Sequence, residues 1–229
     1  MKNKLLLLFF LLGVFFPLSA QESEVLISTS HTSLLLSTSQ GGELKFLYYG
    51  RKLTDADVHA IVSTESGSFS AYPVYGLNCP SESALSVQHE DGNMTLQMEV
   101  IGVETTHQEK ANLTVISLKD KVYPFYVKLC YKAYQDVDVI EAWTEISHKE
   151  KKNVKLNQFA SAYLPVRKGN VWLSSLYGAW ANEARLVQEP LEPGMKVIKN
   201  KDGVRNSHTA HAEVMFSLDG QPRENSGRV

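Results

Sequence analysis

After residue 20 the chain reads as strand, turn, strand almost to its end, and no stretch of comparable length carries an amphipathic helix period. The runs are Glu24–Ser30, Leu34–Thr38, Glu43–Tyr49, Leu96–Val103, Leu113–Leu118, Tyr126–Tyr134, Val137–Ser147, Val154–Leu164 and Val171–Leu176. Within them, Tyr126–Lys132 and Ile140–Ile146 alternate apolar or aromatic residues with polar ones, the pattern of strands with one buried and one wet face. Gly41, Gly42 and Gly50 punctuate the first runs as turns of a meander. Many strands with turns at short intervals predict an all-β fold, a large antiparallel β-sandwich or supersandwich.

The first twenty residues have a different character. Lys2 and Lys4 form a basic start, Leu5–Phe16 an apolar run, and Leu18-Ser19-Ala20 a small-residue cleavage site, so residues 1–20 read as a secretory signal peptide. The apolar run is shorter than the roughly 20 residues that span a bilayer, and no second one follows. Gln21, not Cys, comes next, which leaves no site there for a lipid. The expectation is export to the periplasm or the cell exterior, with no membrane attachment after cleavage.

Residues 21–229 are long enough for one large β domain or two small ones, and the continuous strand pattern favours one. The formal charge of −2 becomes −4 once Lys2 and Lys4 are removed, and the remaining basic residues are scattered, so nucleic acid is not an expected partner. Cys79 and Cys130 are too few and too far apart for a thiolate metal site or a disulfide-dense scaffold. A disulfide between them and two buried thiols both stay open. No metal or cofactor is expected. The sequons Asn93-Met94-Thr95 and Asn112-Leu113-Thr114 would accept glycans only in a eukaryotic secretory pathway.

The cluster His148-Lys149-Glu150-Lys151-Lys152-Asn153 lies between two strand patterns and reads as a solvated hairpin tip. From Tyr177 onward Gly and Pro become frequent, and Gly227-Arg228-Val229 reads as the opening of another strand.

Several segments, in order, resemble the amino-terminal domain of glycoside hydrolase family 36, the α-galactosidases. Leu47-Tyr48-Tyr49-Gly50-Arg51-Lys52-Leu53 is similar to an aromatic-aromatic-Gly-basic-basic-Leu hairpin of that family. Tyr72-Pro73, Gly76 and Glu82–Val87 follow, and His89-Glu90-Asp91-Gly92-Asn93 is similar to its His-x-Asp-Gly-Asn turn. Gly178-Ala179-Trp180-Ala181-Asn182-Glu183 resembles a Gly-x-Trp-x-x-Glu segment, and Leu191–Gly194 and Gly203–His208 resemble the Leu-x-x-Gly and Gly-x-x-Ser-His segments after it. One departure stands out: many members carry Asp-Phe-Arg where this chain has Cys79-Pro80-Ser81, so sugar contacts made by that acid and Arg do not carry over.

The resemblance implies a retaining α-galactosidase that removes terminal α-linked galactose from oligosaccharides or polysaccharides. That chemistry needs two carboxyl groups roughly 5 Å apart. In the family these are Asp residues on strand ends of a (β/α)8 barrel, a fold of about 250 residues. No such segment occurs here, so residues 21–229 are expected to be the amino-terminal sandwich domain, truncated before the catalytic barrel, with no catalytic residue and no activity alone. Substrate would be met through the missing barrel, and the full-length protein is expected to form a homo-oligomer. Glu141, Glu145, Asp136 and Asp138 read as acids of a solvated face or its turns, and Glu183 as a structural partner.

Trp180, Asn78, Cys79 and His208 are the expected sugar neighbours, an aromatic face for stacking and polar groups at a pocket mouth. The competing roles are a core position for Trp180 and a turn hydrogen bond for Ser207-His208. Ser207 and His208 have no evident third partner, so a serine hydrolase is not indicated. A stand-alone carbohydrate-binding β-sandwich and the sandwich domain of another carbohydrate-active enzyme are the alternatives.

Overall fold

The computed structural model describes residues 23–64, 69–76, 82–166, 169–200 and 209–223. It is almost entirely antiparallel β-structure, as the alternating pattern predicts, and divides into two compact units, Met1–Pro165 and Val166–Val229.

The first unit contains β1 (Ser23–Ser28), β2 (Thr32–Thr38), β3 (Leu44–Arg51), helix α1 (Asp55–Ser63), β4 (Phe69–Ser70), β5 (Leu85–Gln88), β6 (Met98–His107), β7 (Ala111–Asp120), β8 (Phe125–Tyr134), β9 (Val139–His148) and β10 (Lys155–Phe159). It forms two four-stranded meanders, β1-β2-β3-β4 and β6-β7-β8-β9, and a separate two-stranded sheet, β10-β5. Alternation places Val25, Ile27, Leu34 and Leu36 of one meander in the same apolar core as Ile116, Leu118, Val127 and Leu129 of the other, with Leu85 and Val87 beside them. Each such side chain contributes roughly 1.5–3 kcal/mol when fully buried. Across the β7–β8 ladder Ile116 faces Leu129 and Leu118 faces Val127, so register and core formation reinforce each other. On the opposite face Lys128 and Lys132 stand across from Glu145 and Glu141, pairing unlike charges. Glu141 and Glu145 are exposed there, as the pattern predicts. Burial pushes the Tyr131 hydroxyl up to about 12, with smaller contributions from Tyr72 and Cys130.

Helix α1 departs from the sequence reading. Thr54 Oγ1 accepts from Asp57 N at 3.3 Å and Asp57 Oδ2 accepts from Thr54 N at 2.9 Å, a capping box contributing about 1 kcal/mol. Val58 is its buried residue, which is why an amphipathic period is hard to see. The predicted Val154–Leu164 strand stops at Phe159. Just beyond, the Ala160 carbonyl is taken by two side chains, Tyr72 Oη at 2.8 Å and Thr144 Oγ1 at 3.0 Å, instead of a strand partner.

Cross-links hold turns of this unit together. Asp138, with φ of 52°, accepts from the Thr29 hydroxyl, from His31 N at 3.2 Å and from Thr32 Oγ1 at 3.2 Å, while Gln135 Nε2 donates to Ser28 O at 2.8 Å. The β8–β9 turn is thereby fastened to the β1–β2 turn, and Asp138 is a structural acid. Buried Asp120 accepts from Gln97 N at 2.6 Å and from Val122 N and Tyr123 N at 2.8 Å each.

His89 makes the third link. Its ring stacks on Tyr123 with centroids 3.7 Å apart, meets Phe125 edge-on, and its Nδ1 donates to Glu150 Oε1 at 2.8 Å. The Glu150 side chain is only 3% exposed. The 148–153 segment is therefore not uniformly solvated: Lys149, Lys151 and Lys152 face water, but Glu150 turns inward to the buried imidazole. Tyr123 Oη also donates to Asp91 Oδ2 at 2.7 Å and accepts from Asn93 Nδ2 at 3.0 Å. The Asn93 amide and then the Tyr123 hydroxyl hold the Asp91 carboxyl below its ordinary range.

The second unit contains β11 (Trp172–Tyr177), β12 (Arg185–Pro190) and β13 (Ala210–Ser217), in the order β12-β11-β13. The Gly- and Pro-punctuated tail thus holds two strands that composition did not reveal. Leu173 and Ala210 are its buried apolar side chains among the described residues, and Ser174 and Ser175 are buried with them.

Candidate functional site

Of the four expected sugar neighbours, Trp180 is described; Asn78, Cys79 and His208 lie outside the described residues. Trp180 sits at the tip of the β11–β12 hairpin. Strand β11 pairs with β12 from Trp172–Pro190 to Tyr177–Arg185, which leaves residues 178–184 to reverse the chain. Inside that segment Ala179 N donates to Asn182 O at 3.1 Å and Asn182 N donates to Ala179 O at 3.0 Å. This reciprocal pair makes Trp180 and Ala181 the central residues of a tight turn. Gly178 N, donating to Thr209 O at 3.0 Å, fixes the base of the turn beside β13.

The tip is unusual in two ways. Trp180 is 82% exposed, so a core role is excluded and the indole is open to a ligand or another surface. Ala181 and Ala184 have φ of 58° and 55°, the left-handed region that L-residues enter at roughly 1–2 kcal/mol each. Both alanines are exposed. Backbone held in this region together with an open aromatic side chain is a pattern that points to function.

Chemically, the tip offers an indole N–H donor and two apolar ring faces, features that suit stacking on a sugar ring. It offers no paired acid and base. Glu183 is exposed, Glu189 Oε1 is 2.7 Å from Lys196 Nζ, and Glu213 Oε2 is 3.2 Å from His211 Nδ1. The hydrogen bond to Glu189 raises the Lys196 pKa. Among the described residues no group of three or more His, Cys, Asp or Glu side chains could hold a metal ion. Cys130 is a free thiol, 2% exposed. Burial and then the nearby Glu145 raise its pKa, so it is a poor nucleophile.

Sequence reasoning singled out Trp180 but neither alanine, because alanine gives no composition signal for a left-handed backbone. It also missed the His89–Glu150 pair, since nothing local tells a buried Glu from its solvated lysine neighbours.

Residues 42–229 match the glycosyl hydrolase family 36 N-terminal domain. Alpha-galactosidase Mel36A of Lactobacillus acidophilus is 29% identical over 104 residues, 45% of this chain and 14% of that protein. Among solved structures, the α-galactosidase AgaA of Geobacillus stearothermophilus, as a variant bound to raffinose, superposes with a TM-score of 0.74 at 19% identity over 84% of this chain. The α-galactosidase of Lactobacillus brevis gives 0.74 at 19% over 89%, and AgaB of Geobacillus stearothermophilus 0.73 at 20% over 92%. The matches span 31–32% of the length of those solved chains.

Proposed function

Because this chain belongs to the glycosyl hydrolase family 36 N-terminal domain family, we propose that it is the supporting, non-catalytic domain of an exported retaining α-galactosidase. The family match across residues 42–229 carries the reading, and the shared fold of three solved α-galactosidases supports it. In this reading residues 1–20 direct export, and a catalytic barrel follows in a longer polypeptide and holds the two carboxyl groups. Substrates are oligosaccharides or polysaccharides ending in α-linked galactose, and the complete enzyme is a homo-oligomer. Trp180, on its exposed turn, stacks against the sugar at the rim of the substrate pocket.

The test is hydrolysis of a chromogenic α-galactoside by residues 21–229 and, in parallel, by the polypeptide extended past Val229. Activity in the extended polypeptide alone supports the supporting-domain reading. Activity in neither favours a stand-alone carbohydrate-binding module, and activity in residues 21–229 would mean that the catalytic carboxylates lie within this chain.

A further inference from the structure

Two features of the Trp180 turn are unfavourable for folding, and neither is offset by packing of the residues that carry it. The indole is left in water, and two neighbouring alanines occupy backbone conformations for which glycine is the unstrained choice. The methyl groups of Ala181 and Ala184 are exposed, so they are not there to fill a core. What a Cβ does at such a position is confine the backbone. With a positive φ, an L-residue has only the small basin near the observed 58° and 55°, whereas glycine has a broad region on either side. The reciprocal Ala179–Asn182 bonds and the Gly178–Thr209 bond close the turn on both sides of Trp180. The strained residues therefore follow closely on the one large side chain that the turn presents, Ala181 directly after Trp180 inside the turn and Ala184 where the chain enters β12.

We propose that Ala181 and Ala184 are positioning residues: their methyl groups lock the hairpin tip so that the Trp180 indole is held in one direction before an α-galactoside arrives. The inference rests on the reading that Trp180 touches the sugar. A preset indole loses less freedom on binding, and ordering one side chain of this kind corresponds to about a threefold to tenfold change in affinity.

The experiment uses the full-length polypeptide with raffinose as substrate and four variants: Ala181→Gly, Ala184→Gly, Ala181→Asn and Trp180→Ala. Glycine at either position is expected to raise KM about threefold to tenfold, leave kcat within about twofold, and leave the thermal midpoint unchanged or higher, because the strain is relieved. A merely structural role predicts no change in KM from a stabilising substitution. Ala181→Asn is expected to keep the KM of the parent, since Asn enters the left-handed basin readily and still carries a Cβ. Relaxation of the Trp180 indole N–H, measured by NMR on the full-length polypeptide, should show added motion in both glycine variants and none in Ala181→Asn. Unchanged indole motion in the glycine variants would overturn the positioning role whatever the sugar does. If Trp180→Ala raises KM while the glycine variants do not, positioning fails and the sugar contact stands. If Trp180→Ala leaves KM unaltered, the sugar contact itself is wrong and the proposal falls with it.

Discussion

The two units follow the same rules of strand pairing but differ in what lies behind the strands. In the first, the inner faces of two meanders meet, and Leu36, Leu85, Val87, Ile116, Phe125, Val127 and Leu129 are nearly or wholly inaccessible to water. In the second, the β12-β11-β13 ladder is just as regular, yet Leu186, Val187, Val214, Met215 and Phe216 remain exposed. Adjacent residues of β13 point to opposite faces, so Val214 and Phe216 stand on one side of the sheet and Met215 on the other. A sheet with apolar side chains on both faces is built to be covered twice. The contrast shows that hydrogen-bonded ladders fix where strands lie, while the core behind them fixes how much stability they carry.

Replacing one buried and one exposed side chain tests this most directly. Phe125→Ala should lower unfolding free energy by about 3–5 kcal/mol in urea, because it leaves a cavity in the shared core. Met215→Ala should change it by no more than about 0.5 kcal/mol. Similar losses from both would erase the distinction between the units.

Two hydrogen-bonded side-chain pairs sharpen the same contrast at smaller scale. Glu150→Ala strands a buried imidazole and is expected to destabilise by about 3 kcal/mol. Glu189→Ala removes the partner of the partly exposed Lys196 and should have an effect below about 1 kcal/mol. Thermal or urea midpoints of the two variants, measured side by side, decide the ranking.

The smallest expected difference lies in pH dependence, and its sign is opposite in the two units. The Thr29 hydroxyl, the His31 amide and the Thr32 hydroxyl hold the Asp138 carboxyl below the usual carboxylate range. That clamp is complete above the unfolded value and is lost as pH falls through the folded one. The Lys196 pKa is raised above 10.5 by Glu189, so its contribution is complete below that value and is lost as pH rises through the folded one. Asp138→Asn, which tolerates the positive φ, should flatten the acid limb of the stability profile and leave the alkaline limb alone. A change in the alkaline limb would contradict the assignment.

Much of the first unit was legible because a half-buried strand writes its environment into every second residue. A one-residue slip of Tyr126–Lys132 would expose Val127 and Leu129. The second unit was less legible for the reason that makes it distinctive: Arg185–Pro190 and Ala210–Ser217 lack a clean alternation. Helix α1 was signalled only by Thr54 and Asp57 at capping distance. At the candidate site, the Trp180 segment was visible through its resemblance to family members. Its exposure and the left-handed alanines depend on the closing of a turn, which no local composition encodes.

The His89 link has a consequence for how this domain can vary. One imidazole stacks on a residue of the 121–124 turn, bonds to Glu150 in the 149–153 turn, and itself begins the 89–93 turn. Three loops far apart in sequence therefore share a single anchor, and none can be lengthened, shortened or grafted from a relative without refitting the other two. Engineering by loop exchange must treat them as one cassette.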